Sequence, residues 1–257
     1  MPTRLIGHDE RMRSFTRLAA GDVLSHAYLF FGDRGVGKCT FAQAFAAFLE
    51  RGTFAPDEAA LLDATVLSPN ERGTIGIDVV RELRHFLSQT PVVSRRRTAI
   101  IDDAESLTDD AQGALLKIVE EPPPHSLIIF VAFDPAALLP PLRSRLAAVY
   151  FPRLSRSLLT HALVDVWKVA PARAAAVAPQ SFGRIGRALQ LVLAARKKPS
   201  VHTLAEELEM SILALRATDR VANARNIGAL LTRAALVRRY NVNEPLQRKA
   251  AHVFAGR

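Results

Sequence analysis

The sequence has a single cysteine among its 257 residues, Cys39, and so can form neither an internal disulfide nor a thiolate zinc centre. Its seven histidines are scattered without ligand spacing, which argues against a histidine metal site as well. No stretch approaches the roughly 20 apolar residues of a membrane span, and no signal-peptide h-region opens the chain. A soluble, cytoplasmic protein with no membrane partner is expected. Repeats are also lacking, and the one biased tract is the alanine-rich "PARAAAVAP" at 171–179. These absences leave an ordinary globular chain.

What is present fits that class, with 49% hydrophobic and 23% charged residues, enough for a sizeable core in one domain or several small ones. The net charge of +9 is unevenly placed. Residues 1–152 carry 16 basic and 19 acidic side chains, and residues 153–257 carry 18 and 6. The split suggests separate modules, and the basic second half suits phosphates or an acidic partner. A solvated basic surface accounts for the same numbers more plainly.

Hydrophobic spacing orders the first half. Met12, Phe15, Leu18 and Ala19 share a helical face behind Asp9, a candidate cap. "HAYLFF" (26–31), "ATVL" (64–67), "TAIID" (98–102), "SLIIFVAF" (126–133) and "LAAVYF" (146–151) are expected strands. Between them "KCTFAQAFAAFLERG", "IDVVRELRHFLSQTP" and "TDDAQGALLKIVEEPPP" have helical spacing, the first stopped by Gly52 and the last capped by Thr108. "RRR" (95–97) is expected to be a solvated turn. Strands alternating with helices predict a parallel, doubly wound sheet. Beyond Pro152 every periodic segment is helical: 155–168, 172–178, 184–196 and longer ones from about 201 to 255. "RKKPS" (196–200) is the candidate linker. The expected domains are therefore an α/β domain at 1–152, a small helical domain at 153–198 and a short helical domain at 199–257.

Two motifs carry chemistry. "FFGDRGVGKCT" (30–40) satisfies G-x-x-x-x-G-K through Gly32, Gly37 and Lys38, after a strand and at the start of a helix. Glycines at these places let backbone N–H groups wrap a phosphate, and the helix N-terminus adds partial positive charge. Gly32, Gly35, Val36, Gly37, Lys38, Cys39 and Thr40 are the candidate nucleotide contacts. Cys39 stands where such loops place a hydroxyl on magnesium, and a neutral thiol suits that hard cation poorly. Thr40 lies roughly 100° further around the helix and cannot simply take over. "AIIDDAE" supplies the second half: Asp102 ends an apolar strand and would hold magnesium through water. Asp103 is one methylene shorter than the glutamate that would polarise an attacking water.

"TDDAQGALLKIVEEPPP" followed by "LLPPLRSRL" resembles the clamp-loader branch of the AAA+ ATPases, and within it the delta-prime kind of bacterial DNA polymerase III subunit. "IGHDE", "GTIGIDVVREL", "SFGRIGRAL" and "NVNEPL" fall in the same order. The resemblance implies an AAA+ α/β domain, a helical lid and a helical collar. It implies other clamp-loader subunits, a sliding clamp and primed DNA as partners, with ATP or ADP and Mg2+ as ligands. It also implies that Arg145, in Ser144-Arg145-Leu146, reaches a neighbouring subunit's ATP site as an arginine finger. The family's strand sensor falls near Ala132 or Phe133, which offer no polar side chain. Its helical sensor falls at Gly186, with Arg187 one step late. The family's zinc cysteines are lacking, so no zinc is expected. Cys39, Asp103, Ala132 and Gly186 all depart around one ATP site, whereas Arg145 does not. The resemblance therefore implies a stator that binds nucleotide weakly and acts on its neighbour; the alternative is an active gamma-type motor.

Overall fold

The computed structural model describes residues 5–55, 61–194, 211–212 and 226–231. It divides into two compact units, residues 1–189 and 190–257. The first unit is built on five parallel strands, β1 (Ala27–Phe31), β2 (Ala64–Leu67), β3 (Arg97–Ile101), β4 (Ser126–Ala132) and β5 (Ala147–Tyr150), in the order β2-β3-β4-β1-β5. This is the expected doubly wound sheet. Strands β3 and β4 are buried along their whole length, although β3 opens with Arg97 and Thr98 and β4 with Ser126.

Two cores flank the sheet. On one side α1 (Asp9–Ala20) and α2 (Lys38–Arg51) pack Phe15, Phe41 and Phe45 against Phe30 and Phe151. The rings meet mainly edge to face, with Phe15 and Phe45 centroids 4.8 Å apart. On the other side α3 (Ile77–Ser88) and α4 (Asp109–Glu120) bury Val80, Leu83, Leu87, Leu115 and Ile118 on Ile101, Ile128 and Phe130. Each helix buries one stripe, which is what 3.6-residue spacing delivers. The Thr108 hydroxyl accepts from the Ala111 N–H as the N-cap of α4, and Gly52 ends α2 in the left-handed conformation, both as expected. Asp9 does not cap: the N-cap of α1 is His8, and Asp9 sits inside the first turn. A short α5 (Pro140–Arg143) follows β4. No hydrophobic period announced it, because four residues are too few for one.

In the "RRR" segment Arg95 is exposed in a bend, as expected, but Arg97 departs from the expected solvated turn. Arg97 opens β3 in a buried position, 3.6 Å from the buried Asp63 carboxylate, and donates to the Leu62 and Thr90 carbonyls. Its guanidinium lies over the Phe86 ring. Asp63 accepts from the N–H groups of Val92, Val93 and Ser94 at 2.7, 2.6 and 2.7 Å. This wiring fixes the loop that enters β3.

Beyond β5, α6 (Arg156–Asp165), α7 (Pro171–Gln180) and α8 (Ile185–Ala194) continue the chain. The N-terminus of α8 reaches the loop after β1, where Gly186 N–H donates to Gly35 O at 2.9 Å. In the second unit Ile212, Ile227 and Leu230 are buried in helical segments. The expected linker at 196–200, "NVNEPL" and most of the expected helical domain at 199–257 lie outside the described residues.

Candidate functional site

Strand order builds the site. The loop of residues 32–37 leaves the C-terminal end of β1, and Asp102 follows the end of β3. Strand β4 lies between these two, so its end at Ala132 stands between the loop and the acidic pair. Ligands of open α/β sheets bind along this edge.

The loop has the backbone that phosphate binding requires. Gly32, Gly35 and Gly37 all have positive φ, and a Cβ on Gly32 would lie 2.4 Å from the Phe151 carbonyl oxygen. Val36 is fully buried beneath the loop, and its carbonyl meets His8 Nε2 at 2.9 Å. A carbonyl only accepts, so Nε2 carries the proton, and Nδ1 is buried with no partner among the described residues. Lys38 is buried and donates to the carbonyls of Gly32 and Asp33 at 2.7 and 2.8 Å. Burial lowers the Lys38 pKa, while the carboxylates of Glu105, Asp102 and Asp33 oppose that shift.

Cys39 and Asp102 meet, which unites the two motifs. The Cys39 pKa is pushed up to about 12, by burial first and then by the negative charge of Asp102. A thiol of that acidity stays neutral, so it offers magnesium no thiolate, and a neutral sulfur suits that hard cation poorly. The loop thus fits a phosphate, and a neutral thiol at Cys39 does not fit a magnesium site. Thr40 is the next residue of α2, partly buried.

Asp103 does not stand free. It adopts a left-handed conformation at φ 54°, and its carboxylate pairs with Arg34 of the loop at 2.7 Å. Asp33 of the same loop pairs with Arg153. Glu105, in the 3-10 turn Ala104–Ser106, meets the sensor position. Its Oε1 accepts from the N–H groups of Phe133 and Asp134, the latter at 3.0 Å. Its Oε2 is buried with no hydrogen-bond partner among the described residues. Burial raises the Glu105 pKa; its backbone hydrogen bonds oppose that, and Asp103 adds to it.

Arg187 is placed by its backbone, with its N close to Gly35, while its guanidinium lies over the Phe182 ring. At Gly186 a Cβ would sit 3.2 Å from Gly35 Cα, so a large side chain there would push α8 off the loop. Arg145 follows α5, half exposed, pairing with Glu120 Oε1 at 2.7 Å and donating to Pro141 O. Glu120 also lines a cavity of about 780 Å³ between α3 and the end of α4, together with Arg81, Arg84 and Lys117. No loop residue lines that cavity. Sequence reading missed Arg34, Glu105 and His8. The signals were present in the loop itself and in the "DDAE" spacing, but which of three adjacent carboxylates turns inward depends on the left-handed turn at Asp103.

Fold and loop together define a phosphate-loop α/β protein of the AAA+ kind. The chain belongs to the family described as DNA polymerase III, delta subunit, whose model matches residues 7–155, more than half of the chain. A DNA polymerase III subunit gamma/tau from Mycobacterium tuberculosis is 39% identical over 153 residues, covering 53% of this chain and 26% of the relative. A subunit delta' from Pseudomonas aeruginosa is 33% identical over 135 residues, covering 47% of this chain and 41% of the relative. The chain thus spans well under half the length of these relatives. Among solved structures, a gamma subunit-related protein from Thermotoga maritima superposes with a TM-score of 0.53 at 16% identity, covering 94% of this chain and 98% of the other. The RuvB Holliday junction branch migration motor of the same organism gives 0.55 at 19% identity, covering 74% and 62%. At such identities these two speak to the fold.

Proposed function

We propose that the chain is a clamp-loader subunit of the delta-prime kind. In this reading it sits with other DNA polymerase III subunits in a hetero-oligomer that opens a sliding clamp and places it on primed DNA. It keeps a phosphate cradle, binds ATP or ADP weakly, and hydrolyses little. It acts in the cytoplasm, where the replication proteins it resembles work. Among the described residues no helix is long and apolar enough to cross a membrane.

The observation that carries the reading is the neutral Cys39 thiol, standing where a magnesium-holding hydroxyl is needed. The departures around it point the same way. Asp103 is occupied by Arg34, and β4 ends in Ala132 without a polar side chain. Arg145, by contrast, is half exposed and held by an ion pair whose partners are both open to solvent. Exposed pairs of this kind contribute about 0–1 kcal/mol, so a phosphoryl group on a neighbour can take Arg145 from Glu120 at little cost. Lys38 and the loop amides hold phosphate oxygens, and Arg145 supplies charge to the site next door.

The test is ATP turnover. The isolated chain is expected to turn over ATP near background, and Arg145→Ala is expected to lower the activity of the assembled complex about a thousandfold at the sites it serves. Robust turnover by the isolated chain contradicts the stator reading.

A further inference from the structure

We propose that Glu105 sets the affinity of the loop for phosphate: its carboxylate, fixed at the end of β4, competes for Lys38 and opposes the terminal phosphate of a bound nucleotide. The inference rests on the loop being the nucleotide site.

Topology places the group. Because β4 lies between β1 and β3, whatever is anchored at the end of β4 stands between the loop and Asp102. Glu105 is anchored there by the two consecutive amides of Phe133 and Asp134. It fills with a negative charge the place where Ala132 offers only a methyl group. Those amides satisfy one oxygen, and the other is buried with no donor among the described residues. A buried carboxylate oxygen in that state has lost water and gained no hydrogen bond, so its charge is poorly screened.

The balance of charges gives the effect its sign. The groups gathered here are Lys38 from α2, Arg34 and Asp33 from the loop, and Asp102 and Asp103 after β3. Arg34 is already paired with Asp103. Lys38 is the cation that the motif offers a phosphate, and the carboxylates of Glu105, Asp102 and Asp33 all act on it. An entering phosphate therefore shares Lys38 with a fixed carboxylate. In loops of this type the Lys reaches the β and γ phosphates, so ATP meets the opposition more fully than ADP.

Glu105→Gln separates charge from architecture, because the amide oxygen still accepts from Phe133 and Asp134. Calorimetric titration of the full chain with ATP and with ADP, without magnesium, reads the difference. Removing one poorly screened charge is expected to tighten ATP at least tenfold or so and ADP less, with the gain shrinking as potassium chloride is raised. Thermal unfolding of the variant is expected to match the wild type. Equal affinities for wild type and variant, an equal gain for ATP and ADP, or no binding by either protein overturns the proposal. Lys38→Ala serves as the second variant: lost binding keeps the loop as the site. Wild-type affinity in Lys38→Ala places the nucleotide elsewhere and overturns the reading on which the inference rests. A failure confined to Glu105→Gln leaves that reading standing.

Discussion

Asp63→Asn probes how the fold holds the sheet edge opposite the loop. Asp63 is 1% exposed and its carboxylate accepts three consecutive amides, with the buried Arg97 guanidinium 3.6 Å behind. Asparagine keeps the volume but turns an NH2 group towards amide donors and leaves Arg97 without its countercharge. Removing one member of a buried pair costs about 3–5 kcal/mol. Arg97 retains the Leu62 and Thr90 carbonyls, so the lower end applies here, about 3 kcal/mol. At roughly 2–4 °C per kcal/mol for a unit of this size, Tm should fall by about 6–12 °C in thermal unfolding followed by circular dichroism. The pH dependence follows from the direction of the shift. Burial alone would raise the Asp63 carboxyl, but the three amides and Arg97 outweigh it and hold the pKa below 3.8. A depressed carboxylate contributes fully above its unfolded value and loses that contribution as pH falls through the folded one. The gap between wild type and variant should therefore hold down to about pH 4 and close below it. A loss under 1 kcal/mol, or a gap that widens in acid, would refute the reasoning.

Two further outcomes are expected. The Cys39 thiol, with its pKa pushed up to about 12, should react with iodoacetamide orders of magnitude more slowly in the native chain than in urea at pH 8; equal rates would show that the thiol is free of Asp102. Burial lowers the His8 pKa below 6.5, so wild-type stability should fall as pH drops through that value, while His8→Phe, which cannot titrate, should lose less between pH 7.5 and 5.5. Identical losses in the two proteins would place the acid sensitivity elsewhere.

The α/β half was legible because its strands are short apolar runs and its helices bury single stripes, both local patterns. The loop and Asp102 were legible for the same reason, being motifs with fixed spacing. Three things were not. Arg97 read as solvated because Asp63, which neutralises it, lies more than thirty residues upstream. The pairing of Arg34 with Asp103 and the inward turn of Glu105 depend on a left-handed residue at Asp103, which an aspartate adopts only in context. Gly186 read as a lost sensor, and its backbone role against Gly35 emerges only once α8 is packed on the loop.

The account turns on Cys39 having separated phosphate binding from the metal. Titration of the isolated chain with ATP, with and without magnesium, tests this most directly. Equal affinities are expected, because the neutral thiol gives the ion no hard ligand where the loop needs one. A gain of tenfold or so on adding magnesium would contradict the account and return the site to the company of working ATPases.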